Sequence, residues 1–336
     1  MSVLYAFTSE QEQLREVVRD LASSSHSARA IYDSKAPAPD TTLWLRLVDV
    51  GAAGLGVDEA DGGSGGGILD QMVVAEELGR AVAPVGFVAS AVAAHALCSA
   101  KPGEDRSRWL SGIANGTIVA AVALDDPALV YDAAGATLLL VPWDDANVGV
   151  VEGPTVGPLA SVDRTRPLAA CHWAAHSVAR LDGGPTVDEL RSLQRSLYAA
   201  EAVGVAARAL AMAAEYTKER RQFGLPIGTF QAVKHKLADM LIDVECARSA
   251  AYAAGWALND GADATLPAHM AQAVATEAVT RVVSTAIQLH GGIGVTWEHD
   301  LHLLLRRAKA LELAMGNPGW HFDQIATALL GPIEAQ

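Results

Sequence analysis

The chain has 336 residues, which is enough for two or three domains with sizeable hydrophobic cores. Hydrophobic residues make up 51% of it and charged residues 19%, and this composition excludes an intrinsically disordered chain. The formal net charge of −14 argues against binding of duplex nucleic acid, although a local group of Arg and Lys could still bind an anionic small ligand.

We expect a cytoplasmic protein without a signal peptide or membrane span. The first residues, MSVLYAFTSEQEQ, lack the basic stretch and apolar run of a signal peptide. The three cysteines lie far apart with no Cys-x-x-Cys pair, which argues against a disulfide framework or a zinc site. The uncharged stretch 81–100 is long enough to cross a bilayer, but Pro84, Gly86 and its Ala/Val content favour a buried helix and its lead-in.

The first third of the chain predicts helices. Thr8 or Ser9 is suited to cap the first helix. A short helix over 43–50, a glycine-rich loop over 61–67 and a helix over 69–79 follow. The predicted inner face of the first helix consists of Leu14, Val17, Val18 and Leu21, and the predicted polar side of the helix over 69–79 carries Glu76 and Glu77.

The middle of the chain predicts short strands separated by turn residues such as the run Asp125-Asp126-Pro127. The expected strands span 117–124, 137–142, 148–151 and 177–181. Long, alanine-rich helices follow, with predicted ranges 187–221, 230–259, 266–289 and 301–313, and their similar length favours an antiparallel four-helix bundle.

The predicted fold class is therefore α+β and mainly α. The expected domains are an N-terminal helical domain over 1–115, a small β domain over 116–185 and a C-terminal bundle over 186–336.

Two segments have a composition suited to phosphate binding. The segment 219–235 is a helix end, a Gly/Pro turn and the start of a new helix, and its turn holds two guanidiniums, a ring and two amides close together. Guanidiniums bind phosphate through two hydrogen bonds at once. The segment 288–296 has three glycines in four residues, which let a backbone approach an anion closely. An ordinary helix–helix connection and a helix C-terminus with extra glycines explain the same residues in purely structural terms.

These two segments, RRQFGLPIGTFQAVKHKLADM and QLHGGIGVTWEHDLHLLLRRAK, resemble the acyl-CoA dehydrogenase family. The N-terminal stretch LWLRLVDVGAAGLGVDEADGGSGGG is similar to the first helical domain of that family. The residues of the motifs are most similar to those of the actinobacterial branch of the family, which includes members acting on steroid side chains.

The resemblance implies a flavin enzyme that binds FAD and acts on an acyl-CoA thioester. The resemblance implies that one group of residues contacts FAD across a subunit interface and that a second group contacts the pyrophosphate of FAD. The first group is Arg220, Gln222, Phe223 and Gln231, and the second is Gln288, Gly291 and Gly292. It also implies a homo- or hetero-oligomer with a second acyl-CoA dehydrogenase subunit, and an electron-transfer flavoprotein as electron acceptor.

The sequence departs from the family where the catalytic base is expected. The family places a Glu or Asp at one of two positions, and these fall here on Met315 and Gln194, neither of which can take up a proton as a carboxylate does. Glu201, on the same predicted helix as Gln194, is a weak candidate for a relocated base, and Glu312 lies near Met315. A structural ion pair is the alternative for both.

The β domain departs from the family as well. The segment 124–129 lacks the family's flavin-contacting pattern, and Trp143 and Trp173 lack its usual neighbours. His299 and His302 have no third ligand, so no metal site is expected. The basic residues Lys234, Lys236, Arg306 and Arg307 suit phosphate groups or a solvated face.

Three functions remain open on this basis. The first is a dehydrogenase that supplies its own catalytic base. The second is a catalytically inactive subunit that completes the FAD sites of a partner. A related flavin oxidase or monooxygenase is the third.

Overall fold

The computed structural model describes residues 6–25, 27–34 and 38–331. Helices come first, strands second and helices last, so the predicted fold class is confirmed. The first section contains α1 (Ser9–Ser23), α2 (Ser27–Asp33), α3 (Thr41–Asp49), α4 (Ile68–Arg80), α5 (Phe87–Ser99) and α6 (Glu104–Ala114). The sequence analysis did not predict α2 and α6.

Helix α1 begins as predicted but buries a different face. Thr8 caps it, and Gln11 completes a reciprocal capping box. Val18 is buried as expected, whereas Val17 is 43% exposed. Arg15 takes part in the buried face instead, because its guanidinium forms ion pairs with carboxylates of α4. The hydrophobic spacing alone could not show this pairing.

The predicted polar side of α4 is also wrong, because Glu76 and Glu77 are buried. Arg19 binds Glu77 through two hydrogen bonds of 2.7 and 2.9 Å. Arg248 pairs with Glu76, and Arg15 lies within 3.4 Å of both carboxylates. Buried carboxylates are tolerated when they are paired in this way.

Two small sheets form the middle section. The strands are β1 (Ala120–Val122), β2 (Val130–Tyr131), β3 (Leu138–Pro142), β4 (Val148–Glu152), β5 (Thr155–Leu159), β6 (Leu168–His172) and β7 (Val178–Arg180). One sheet has the order β1-β3-β4-β7, in which only the β1–β3 pair is parallel, and the other has the order β2-β6-β5. The sequence analysis missed β2, β5 and β6, which are short or partly exposed.

The last section contains α7 (Val187–Glu219), α8 (Gln231–Asn259), α9 (Thr265–His290), α10 (Leu301–Leu313) and α11 (Pro318–Leu330). A small hairpin of β8 (Arg221–Gln222) and β9 (Leu225–Pro226) joins α7 to α8. Helix α10 has 13 residues and α9 has 26, so the expected similarity in length does not extend to the fourth helix.

The long helix α7 lies at the centre of the fold. By length and composition it is apolar enough to cross a membrane, and 67% of its most apolar window is buried inside the protein. The shorter apolar helix α5, which raised the membrane question, is buried along most of its length.

Two glycines let α4 and α7 cross in direct backbone contact. A Cβ on Gly79 would lie 2.2 Å from the carbonyl oxygen of Glu201, and one on Gly204 would lie 1.8 Å from that of Glu76. No other residue fits at either position without moving a helix, so the crossing point is fixed by these glycines.

Helix α11 packs on α9 through a buried histidine pair. The Nδ1 atoms of His269 and His321 lie 2.8 Å apart, so one ring donates a hydrogen bond and the other accepts it. Burial lowers the pKa of His269 to about 4, and burial together with His269 lowers the pKa of His321 to about 3, both from an ordinary value of 6.5. The pair is therefore neutral at pH 7.

We predict that this pair makes the protein less stable as the pH falls from 6.5 towards 4. In this window the unfolded histidines bind protons that the folded ones do not, so stability is fully present above pH 6.5 and is lost below it. One histidine of the pair contributes roughly 3 kcal/mol of this loss. Urea unfolding at pH 7, 5.5 and 4.5 should show a smaller decrease for H321N than for the unchanged protein. Equal decreases would contradict the prediction.

Candidate functional site

The two segments predicted to bind phosphate lie at the same end of the bundle. The ring of Tyr216, in the last turn of α7, stacks on the ring of His290 at the end of α9, with centroids 4.2 Å apart. Arg220 follows Tyr216 by one turn, and Gly291 follows His290 directly. The structure thus brings together the guanidinium-bearing turn and the glycine bend that the sequence analysis singled out.

The β8–β9 hairpin presents an aromatic ring to solvent. Its two central residues, Phe223 and Gly224, both have positive φ, +52° and +82°, as in the tight turns that suit short hairpins. Positive φ is uncommon for a phenylalanine. The Phe223 side chain is 93% exposed, and the only ring beside it in the described chain is that of Phe230, 6.2 Å away.

Three polar side chains around this hairpin have no hydrogen-bond or ion-pair partner within the described chain, whereas the amide of Gln222 donates to the carbonyl oxygen of Arg221 at 2.8 Å. Arg220, Gln231 and Gln288 are exposed, and no described residue forms a hydrogen bond or ion pair with their side chains. A Cβ on Gly291 or Gly292 would meet nothing within 4 Å, so the backbone there faces open space. A guanidinium, free amides and an open glycine backbone fit the phosphates and the heterocycle of a dinucleotide.

A cleft of about 690 Å³ opens between the strands, α7 and the loop after α10. Gln194 and Met315, the two positions on which the family resemblance places the base, both line this cleft. They are 121 positions apart in the numbering, and only the fold places them around one space. The amide of Gln194 donates to the hydroxyl of Tyr198 at 3.3 Å, and Met315 has a positive φ of +61°.

Two carboxylates occur in the described lining of the cleft, and both follow β1. Asp125 forms an ion pair of 2.8 Å with Arg191. Asp126 accepts a hydrogen bond from the backbone of Ala128 at 2.8 Å and forms no ion pair within the described chain. They lie in the segment that lacks the family's flavin-contacting pattern, while Trp143 and Trp173 do not line the cleft.

Two further residues of the cleft escaped the sequence analysis. Arg195 is 6% exposed, its Nε has no hydrogen-bond partner, and its guanidinium lies 5.7 Å from the ring centre of Trp320. Burial lowers the pKa of Arg195. Tyr198, four residues after Gln194 and so on the same helix face, could have been found by helical spacing.

Glu201 does not line the cleft and lies in a buried ion network. Its carboxylate pairs with Arg166 at 2.6 Å and with Arg307 at 2.5 Å. Arg307 also pairs with Asp163, and Arg166 lies 3.3 Å from Asp132. The geometry favours the structural alternative over a relocated base. Arg307 is 1% exposed, so its expected place on a phosphate or a solvated face is wrong.

The ion network holds three carboxylates against two guanidiniums. Burial raises the pKa of Asp132 to about 6, although Arg166 and Arg307 oppose this. Burial also acts to raise the pKa of Asp163, but the charge of Arg307 and the hydrogen bond from Thr165 outweigh it and hold that pKa below its ordinary value. Glu312, the other candidate carboxylate, pairs with Lys309 at 2.6 Å.

Comparison with known proteins is consistent with this arrangement. The model of the acyl-CoA dehydrogenase N-terminal domain matches residues 8–117, and that of the C-terminal domain matches residues 183–330. Acyl-CoA dehydrogenase IpdE2 of Mycolicibacterium smegmatis is 35% identical over 92% of this chain and 95% of its own length.

Two solved structures are similar over nearly the whole chain. One is the ChsE4-ChsE5 complex from Mycobacterium tuberculosis, with a TM-score of 0.83, 26% identity and coverage of 98% of this chain and 99% of the matched chain. The other is a variant of the Tcur3481-Tcur3483 steroid ACAD, with a TM-score of 0.81, 28% identity and coverage of 95% and 97%.

We predict that E201Q lowers the free energy of unfolding by roughly 3 kcal/mol, because a neutral amide cannot accept the two charge-assisted hydrogen bonds that Glu201 accepts from Arg166 and Arg307. E215Q on the same helix is the matched control, since Glu215 forms an exposed pair with Lys218. The control should change stability by less than about 0.5 kcal/mol. Urea unfolding measures both variants. A stable E201Q protein would contradict the structural role of Glu201.

Proposed function

The chain belongs to the acyl-CoA dehydrogenase family, and on that premise we propose that it works as one subunit of a mixed, flavin-dependent acyl-CoA dehydrogenase complex. The observation that carries the proposal is the chemistry of Gln194 and Met315. Both line the cleft, and neither side chain is a carboxylate. A second subunit of the same family supplies the catalytic base.

The reaction needs a base that removes the α-proton of the acyl thioester. A carboxylate in a dry pocket can do so, because desolvation raises its pKa towards that of a useful base. The amide of Gln194 and the thioether of Met315 take up no proton near neutral pH. FAD, when bound, accepts the β-hydrogen as hydride. The cleft of this chain therefore has a wall suited to an acyl group, but it lacks a carboxylate base at these two positions.

The bundle end supports an FAD site that two subunits share. Arg220 and the bend at Gly291 and Gly292 would hold the pyrophosphate, and Gln288 lies beside that bend. Gln222, Gln231 and Phe223 would contact the nucleotide across the interface. The exposure of the Phe223 ring supports this assignment, since burial by a ligand and a neighbouring subunit would remove an apolar ring from water.

The similar proteins support both the assembly and the substrate class. Two of the solved structures similar to this chain, ChsE4-ChsE5 and the steroid ACAD Tcur3481-Tcur3483, are named for two components each. We therefore infer a hetero-oligomer with a second acyl-CoA dehydrogenase subunit, an acyl-CoA with a steroid-derived acyl group as substrate, and an electron-transfer flavoprotein as acceptor.

One observation favours a second candidate, a dehydrogenase that needs no partner for its base. Asp126 lines the cleft, forms no ion pair with the described residues, and accepts a hydrogen bond from the backbone N–H of Ala128. In this alternative Asp126 replaces the carboxylate that the family carries at the positions of Gln194 and Met315.

We predict that the isolated, FAD-treated chain does not reduce a ferrocenium acceptor with acyl-CoA thioesters. Co-expression with a family member that carries a carboxylate at either base position should give an active complex. A Glu→Gln change at that carboxylate should lower kcat by at least about a thousandfold, since no other base remains. Turnover by the isolated chain that is lost in D126N would overturn the proposal in favour of the second candidate. Oxygen consumption would identify an oxidase instead.

We predict that R220Q lowers the FAD content of the purified complex, because the guanidinium is one of few groups available to bind pyrophosphate. Affinity for FAD should fall about tenfold or more, as measured by fluorescence titration of the apoprotein. R221Q is the matched control, because Arg221 is adjacent and only weakly bonded, at 3.5 Å from the Gly224 oxygen. Equal FAD affinity in R220Q and R221Q would contradict the assignment.

A further inference from the structure

A second cavity, of about 600 Å³, lies away from the cleft and shares no lining residue with it. It is enclosed by α1, α2, the end of α4, the middle of α7 and the start of α10. Nothing in the proposed dehydrogenation uses this space. Its volume is in the range of small-molecule sites.

Four arginines line this cavity against two carboxylates, an excess of two positive charges in a chain whose net charge is −14. They are Arg19, Arg29, Arg80 and Arg208, and the carboxylates are Glu77 and Asp300. The positive excess is thus a local property of the cavity and not a consequence of the overall composition.

Two of the four arginines are already paired. Arg19 binds Glu77 through two hydrogen bonds, and Arg29 donates to Asp300 at 2.9 Å. Both carboxylates of the cavity are therefore engaged. The guanidiniums of Arg80 and Arg208 form no hydrogen bond or ion pair with any residue in the described ranges.

The fold brings Arg80 and Arg208 to one place. Gly204 lies at the close crossing of α4 and α7, where a Cβ would be 2.7 Å from the backbone nitrogen of Arg80. Arg208 follows Gly204 by one turn of α7. Arg80 is half-buried, and burial lowers its pKa, with the nearby charge of Arg208 acting in the same direction. Glu77 opposes this shift, but its carboxylate already binds Arg19, and an anion between Arg80 and Arg208 would reduce the remaining repulsion.

Apart from Ser23 and Ser25, the rest of the wall is apolar. It is formed by Ala22, Ala28, Val82, Met212, Leu303 and Leu304. We propose that this cavity binds the phosphoryl groups of a small ligand, either free pyrophosphate or a nucleoside diphosphate, between the guanidiniums of Arg80 and Arg208. The planar guanidinium matches phosphate oxygens in geometry and charge. The apolar wall would receive the organic part of a nucleotide.

The test is calorimetric titration of the FAD-saturated protein with pyrophosphate and with ADP at constant ionic strength. Saturation with FAD keeps the site at the bundle end filled, so that any remaining binding belongs elsewhere. We expect saturable binding that weakens at least tenfold in R208Q and further in the double variant R80Q/R208Q. Arg208 is exposed, so R208Q should fold normally even if the change at Arg80 lowers stability.

The matched control is R108Q, because Arg108 is an exposed arginine on α6 that pairs with Glu152 outside the cavity. Its affinity for both probes should equal that of the unchanged protein. Tighter binding of ADP than of pyrophosphate would identify a nucleotide site, and equal binding would identify a pyrophosphate site.

Two results would overturn the proposal. One is that R208Q binds each probe with the same affinity as the unchanged protein does. The other is no binding by the unchanged protein together with weaker assembly of R208Q with the second subunit, which would assign the two guanidiniums to a protein interface. Neither result depends on dehydrogenase activity, so the proposal can fail while the proposed function stands.

Discussion

A buried ion network holds the three sections of this protein in register. Glu201 on α7 pairs with Arg166, which comes just before β6, and with Arg307 on α10. Arg307 also donates to the carbonyl oxygen of Ala83, in the N-terminal section. Buried charges are costly unless every partner is in place, so the sections cannot shift relative to one another without leaving a charge unpaired. The network adjoins the cleft, because the guanidinium of Arg166 lies 5.0 Å from the ring centre of Tyr198, which lines the cleft.

The cleft shows that shape and chemistry can be separated within one fold. Its wall is assembled from strands, α7 and the loop after α10, and it includes Gln194 and Met315, the positions on which the family resemblance places the base. Here they hold an amide and a thioether. The same framework can therefore support an assembly in which one subunit is shaped for the ligand and the other supplies the base.

The arginines of this protein fall into two classes, those paired with carboxylates and those without such a pair. Arginines that face carboxylates, such as Arg15 and Arg307, stabilise the core. Arginines without described partners occur at the bundle end, in the cleft and in the second cavity, as Arg220, Arg195 and Arg80 show. A guanidinium without a carboxylate is available to an anion from outside the chain, and each of these places is open to a ligand.

The sequence by itself determined the order of a helical, a strand and a helical section, limited the cap of α1 to Thr8 or Ser9 and singled out the two segments that meet at the bundle end, because these follow from local spacing and turn chemistry. The start of α11 was also within reach, since Asn317 followed by Pro318 is a typical helix start that the analysis missed. Only the tertiary structure decided that Glu76, Glu77 and Glu201 are buried. Their partners lie far away along the chain, and no local pattern shows which guanidinium a carboxylate meets. The meeting of Gln194 with Met315, and of Arg80 with Arg208, has the same origin, because helix crossings and not sequence neighbours bring them together.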